Sequence, residues 1–268
     1  MASLVTDQGI VHYETFGRGR PVLLLHGWLG SWALWRDTIE VLGREFKTYS
    51  LDFWGFGKSS PILDSFHYSV PNFVELVHQF MDRLGIRRAP LIGHSMGGTV
   101  SLSMAIKYPE RVVKVGVVGS PIHGSSLNWL LKLSGYQAVA RTFFLAPPAV
   151  KLFLRGYAYF MANDGARMSR MIVEDFSQVS VNSFFESIGT LRETDLRPRL
   201  AELQMPTLGI YGRKDIIVHP NQHDVLKVGV SHAQMHLFQN SGHFVMLDEP
   251  GKFHRTVIDF LHNGQGAE

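Results

Sequence analysis

Two periods of apolar residues take turns along this chain. Pro21–Leu25 and Val112–Val118 are nearly unbroken apolar runs, as expected of strands buried on both faces. Phe46–Leu51, Ala89–Ile92, Pro206–Tyr211 and Gln234–Phe238 read as further strands. Ile10–Phe16 alternates only in part, as an edge strand does, and Gly17-Arg18-Gly19-Arg20 turns the chain after it. Between these runs the period changes. Within 71–84, Phe73, Leu76, Val77, Phe80 and Leu84 fall at helical spacing. Helices are also expected from Trp32 to about Gly43 with Ser31 as N-cap, over Thr99–Tyr108, from about Asn221 to Val228, and from about Pro250 to His262. Short strands that end in Gly-rich loops and alternate with helices predict a mostly parallel sheet covered on both faces.

The alternation stops after Ser120-Pro121 and resumes near Pro206. Residues 121–194 contain no clear buried strand. They carry five helical segments rich in Leu, Phe, Tyr and Met instead: Leu127–Leu133, Gln137–Leu145, Ala149–Met161, Ala166–Phe176 and Val181–Leu191. Pro147-Pro148 and Asn163-Asp164-Gly165 punctuate them. The expected organisation is a core in two parts, 1–120 and 195–268, with 121–194 inserted as a helical cap over the strand ends. Ligands in such sheets sit outside the carboxyl ends of the strands. His26-Gly27, Asp52 and Ser95 all fall at such ends, so they should meet in space.

Composition narrows the function classes. With 268 residues, 45% hydrophobic and 18% charged, the chain can bury a substantial core without staples. It has no cysteine, which excludes disulfides, thiolate metal sites and a Cys nucleophile. A net charge of +3 with no Lys/Arg block gives no nucleic-acid stripe. No apolar run of spanning length occurs, and Met1–Thr15 lacks a basic stretch followed by an apolar one. A soluble cytoplasmic protein with neither signal peptide nor spanning helix is expected; nothing in the pattern speaks to oligomeric state. The histidines His219, His223, His232 and His236 have no accompanying carboxylates at telling spacing, so no metal or other cofactor is expected.

Candidate chemistry centres on Gly93-His94-Ser95-Met96-Gly97-Gly98, between the strand at Ala89–Ile92 and the helix that follows. Gly-x-Ser-x-Gly in that context is a nucleophile elbow, a sharp turn that lifts a Ser hydroxyl clear of the backbone. The alternative is an ordinary Ser capping a helix. Asp215, in Gly212-Arg213-Lys214-Asp215, and His243, in Asn240-Ser241-Gly242-His243, each follow a predicted strand. The order Ser…Asp…His is the one this elbow requires. The types are what acyl transfer needs: a hydroxyl, a neutral imidazole to take its proton, and a carboxylate to hold that imidazole in one tautomer. Asp195, Asp248 and Glu249 do not follow strands, and Val118-Gly119-Ser120 offers no acid.

These residues, together with His26-Gly27 and the loop Asp52-x-x-Gly55-x-Gly57-x-Ser59, resemble an α/β-hydrolase-fold serine hydrolase of the carboxylesterase and lipase-like branch, nearly end to end. The resemblance implies an α/β fold with the helical cap described above. It implies Ser95, Asp215 and His243 as catalytic residues, and the backbone N–H groups of Trp28 and Met96 as the oxyanion hole. His26 resembles the family's loop-orienting histidine, and His94 is expected to pack or hydrogen-bond locally. The Asp52 loop departs from the family by carrying Trp54 where Arg is common, which brings another aromatic near the site. With Trp54, the cap residues Trp129, Phe143, Phe144 and Tyr157 are the substrate-pocket candidates; the plain alternative is that cap helices bury such residues against the core. The expected substrate is a small to medium apolar carboxylic ester. A carbon–carbon bond hydrolase, a lactonase, a cofactor-free perhydrolase and a non-catalytic binding member stay open. The carbon–carbon branch usually writes Asn where this chain has His94.

Overall fold

The computed structural model describes residues 2–61 and 66–263. Nine strands form one sheet: β1 Ala2–Val5, β2 Gly9–Phe16, β3 Pro21–Leu25, β4 Lys47–Leu51, β5 Ser60–Pro61, β6 Ala89–His94, β7 Val112–Val118, β8 Thr207–Gly212 and β9 Gln234–Phe238. Their order is β1-β2-β4-β3-β6-β7-β8-β9, with β5 paired to β2. Pairs from β4 to β9 are parallel, and β2 is antiparallel to β1, β4 and β5. The chain therefore has an α/β hydrolase sheet, mostly parallel, flanked by helices.

The Ile10–Phe16 strand is not at the edge. β1, whose weak alternation escaped the sequence reading, lies outside it in register Ala2↔Tyr13 to Val5↔Ile10. The central strands behave as their composition dictates. Val22, Leu23, Leu24 and Leu25 of β3 are all buried, so both faces of this strand are covered.

The helices are α1 Arg36–Leu42, α2 Val70–Arg83, α3 Met96–Lys107, α4 Trp129–Ser134, α5 Gln137–Leu145, α6 Pro147–Tyr159, α7 Gly165–Phe176, α8 Val181–Glu193, α9 Gln222–Gly229, α10 Val245–Asp248 and α11 Pro250–His262. The helix expected from Trp32 begins as a 3-10 turn over Trp32–Trp35 and turns α-helical only at Arg36. Ser31 caps it, accepting from Ala33 N at 3.3 Å. Helix α2 buries Phe73, Leu76, Val77 and Phe80, and Ser69 caps it through Asn72 N at 3.3 Å. Helix α1 packs on α11, and Trp35 of the turn before α1 stacks on Phe253 with ring centroids 6.2 Å apart. Lys114, buried on β7, donates to Phe260 O at 2.7 Å and Leu261 O at 2.8 Å, so a cation satisfies orphan carbonyls at the end of α11.

Helices α4–α8 all lie between β7 and β8 in sequence. Chain leaves and re-enters the sheet side by side: His123 bridges Asp195 in antiparallel fashion, and Gly124 N donates to Thr194 O at 2.9 Å. Polar contacts tie this segment to the rest, two of them near its middle. Arg167 Nη1 meets Asp37 Oδ2 at 2.6 Å, and Asn163 N donates to Asp248 Oδ1 at 2.6 Å.

Candidate active site

Strand register sets the site. His94 lies opposite Val118, Val118 opposite Ile210, and Gly212 opposite Phe238, so the carboxyl ends of β6 to β9 share one edge. Ser95 comes straight out of β6. Its φ of +51° and ψ of −119° lie where a side chain is disfavoured, and Ser95 N is held by Val118 O at 2.8 Å. The strain is tolerated because the neighbours are small. A methyl group on Gly97 would collide with the carbonyl oxygens of Leu25 and His26, so the start of α3 can press against the end of β3 only with glycine there.

The Asp215 carboxylate is fixed from both sides. Its Oδ1 accepts from Ile217 N at 2.8 Å and Val218 N at 2.9 Å, and its Oδ2 meets His243 Nδ1 at 2.7 Å. All four residues are buried. A carboxylate can only accept, so His243 carries its proton on Nδ1 and keeps the Nε2 lone pair free. Gly119 follows β7 beside this pair with φ +56°; a methyl group there would stand 3.2 Å from His243 Nδ1. Sequence reading noted only that this strand end lacks an acid. The structure shows why its glycine matters.

His94 does a second job. Its Nε2 lies 3.0 Å from the backbone oxygen of His243, so Nε2 carries the proton, and the two rings meet edge to face at 4.6 Å. Its Nδ1 is buried with no partner. Burial, aided by the nearby His243, holds its pKa well below the usual histidine range, so it stays neutral. His26 links two loops: its Nδ1 meets Gly27 O at 2.7 Å, and its Nε2 accepts from Phe53 N at 3.0 Å. Burial likewise lowers its pKa. Asp52 is buried and organises its own loop, accepting from Trp32 N at 2.6 Å and Lys58 N at 3.0 Å and meeting His12 Nδ1 at 2.9 Å. Its place is beside the site as a fastener, not in it.

Ser95 and His243 open into one cavity of about 780 Å³, its mouth included. Trp28, Leu29 and Phe244 supply its floor, and Phe143, Tyr157 and Phe184 are among its contributions from α4–α8. Trp28 is anchored there by its indole N–H, which donates to Phe184 O at 2.9 Å. Among the described residues that line the cavity there is no Lys, Arg, Asp or Glu. Of the sequence-derived pocket candidates, Phe143 and Tyr157 are in the lining. The other three are not. Trp54 is buried against Phe66 with ring centroids 5.0 Å apart. Phe144 packs on Phe176 at 5.2 Å and on Phe184 at 5.6 Å. Trp129 is 71% exposed on the outside. Periodicity marks a residue as apolar but does not say which side of a thin helical layer it faces. Phe184, Phe244 and Ile217 were missed; their only signals were proximity to His243 or Asp215 for the last two.

Comparison with known proteins agrees with this architecture. The sequence model of the alpha/beta hydrolase fold matches residues 20–250. The chain belongs to this family. It is 29% identical over 264 residues to the 2-hydroxy-6-oxo-6-phenylhexa-2,4-dienoate hydrolase of Comamonas testosteroni, covering 94% of this chain and 91% of the relative. It is 26% identical to the pimeloyl-[acyl-carrier protein] methyl ester esterase of Aeromonas hydrophila, over 94% of this chain and 99% of that one. The enol-lactonase of Burkholderia xenovorans LB400 shares its fold with a TM-score of 0.83 at 20% identity, over 97% and 99% of the two chains. These family members are hydrolases, and so, by family, is this chain. No helix among the described residues is long and apolar enough to cross a membrane.

Proposed function

We propose that this hydrolase is a serine carboxylesterase acting on small to medium apolar esters through an acyl-enzyme on Ser95. One observation carries the reading: a strained Ser shares an uncharged cavity with a histidine whose far nitrogen is held by a fixed carboxylate. In this mechanism Ser95 Oγ attacks the ester carbonyl while His243 Nε2 takes its proton. The backbone N–H groups of Trp28 and Met96 hold the oxyanion, each worth about 3 kcal/mol in the transition state. His243 then protonates the leaving alcohol. Water adds to the acyl-enzyme by the same route, its proton going to His243 and then to Ser95 as the acid leaves. Asp215 orients the imidazole throughout. Residues 121–194 act as a cap, and Phe143, Tyr157 and Phe184 select the acyl or alcohol group.

A second reading follows from the relatives named for 2-hydroxy-6-oxo-dienoates. Such a substrate carries a carboxylate. The cavity lining offers it no cation, and an unpaired buried charge costs several kcal/mol. Neutral esters therefore fit better.

Nitrophenyl esters of increasing chain length test the first reading. Wild type should hydrolyse them, and Ser95→Ala should lose turnover by several orders of magnitude. No wild-type turnover at any length sinks the ester reading; activity surviving Ser95→Ala sinks the mechanism. A dienoate consumed faster than every ester would move the assignment to carbon–carbon hydrolysis.

A further inference from the structure

Helix α6 is apolar on both sides. Leu154, Tyr157 and Ala158 face the cavity. On the opposite side exposed residues recur at Ala149, Leu152, Gly156 and Phe160, spaced three or four apart, so they form one stripe, which exposed Leu145 at the end of α5 precedes. Leu145, Leu152 and Phe160 are 82%, 71% and 81% exposed. A helix on the surface of a globular protein turns a polar face to water, and on this one Arg155 shares the exposed face with apolar residues. Phe153 belongs to both sides, lining the cavity while half exposed. The cavity is thus one helix away from an exposed apolar surface.

Positive charge outweighs negative around that surface, where Asp164 and Glu174, at and on α7, are the acids. No Asp or Glu stands between Glu110 and Asp164, while Lys132, Arg141, Lys151 and Arg155 all do. Arg155 and, on α7, Arg170 edge a shallow groove floored by Leu152 and Phe160. Tyr159 is exposed in the same groove, an aromatic type that favours the boundary between lipid and water.

We propose that this face seats on an anionic phospholipid surface, with α6 lying in the interfacial plane, and that the cavity draws its apolar substrate from the lipid past α6. A segment of 13 residues is about 20 Å long, too short to span but suited to lie in the headgroup boundary. Complementarity selects the occupant. A second copy of this chain would bring like charges together, whereas anionic lipid satisfies both the stripe and the cations. The docking does not depend on the ester reading; the claim about the substrate's source rests on it.

Sedimentation of the full chain with vesicles decides the matter. The protein should cosediment with phosphatidylcholine vesicles containing phosphatidylglycerol, more weakly with phosphatidylcholine alone, and less at high salt. The double variant Leu152→Glu/Phe160→Glu should bind at least tenfold more weakly. Arg155→Gln/Arg170→Gln should weaken binding about tenfold and erase the preference for anionic lipid. Both variants should hydrolyse a dissolved nitrophenyl ester at the wild-type rate, which shows that they are folded, yet lose rate on a long-chain ester carried in the vesicles. Three results overturn the proposal: no binding to either vesicle, binding that both variants keep, or dimerisation without lipid that Leu152→Glu/Phe160→Glu abolishes. Vesicle binding by a chain that hydrolyses no ester would keep the docking and remove only the ester reading.

Discussion

His94 shows how one residue next to a nucleophile can serve a different partner. It precedes Ser95 in sequence, but its hydrogen bond goes to the backbone of His243, across the cleft between β6 and the loop after β9. Removing it frees the carbonyl and the ring contact that hold His243 in place. For His94→Ala we expect kcat on a nitrophenyl ester to fall between about tenfold and a hundredfold, the scale set by small misplacements of a catalytic group. Circular dichroism should remain native, and an unchanged kcat would show that His243 is held by Asp215 alone. That Ser95, Asp215 and His243 would meet at one sheet edge was legible in the sequence, because their types, order and strand-end positions are constraints that must hold together. The His94 bond was not legible. It depends on how close two loops pass, and no period or spacing encodes that.

At the scale of elements, the helical layer was legible in outline and opaque in detail. Its helices announce themselves by spacing and by Pro and Gly punctuation. Its two faces are both apolar, so the rule that places apolar residues inward fails there. Trp129 and Phe144 were misjudged for that reason. β1 was hidden for the opposite reason: four residues with every second one exposed are too few to stand out. Helix α7 carries the clearest energetic signature of the layer. Asp175 is buried against the core, with the Ser31 hydroxyl as a hydrogen-bonding neighbour, and burial pushes its carboxyl up to about 7. The raised value favours the protonated form in the folded state. Its contribution to stability is therefore complete below about pH 4 and is lost as pH climbs towards 7. Asp175→Asn should remove that loss. Its urea midpoint should exceed the wild-type midpoint at pH 8 and match it near pH 4. A difference that stays constant across that range would rule out a titrating Asp175.

The whole molecule divides its labour by charge. The sheet edge provides fixed hydrogen-bond geometry, and the cavity above it provides apolar walls with no ion to pair with a substrate. A dimethyl ester of a short dicarboxylic acid should therefore be a better substrate than the corresponding half-ester, by at least about tenfold in kcat/KM at neutral pH. Equal rates would place a cation near the bound acid. The parallel sheet was legible because buried strands on both faces leave unbroken apolar runs; its order was not, since crossover connections do not record which neighbour a strand takes.

The neck formed by His123 and Asp195 has a consequence for how the protein is made. β7 ends at Val118, and its partner β8 begins at Thr207. At ordinary ribosomal speeds that interval lasts on the order of ten seconds. Throughout it, the growing chain holds an apolar strand with one edge unpaired while helices with apolar faces emerge behind it. Asp215 and His243 are translated later still. A chain released or stalled before Thr207 therefore carries Ser95 without Asp215 and His243, and an open strand edge. Such fragments should aggregate or be captured by chaperones, and the yield of this enzyme in cells should respond more to translation speed and chaperone supply than to the stability of the finished fold.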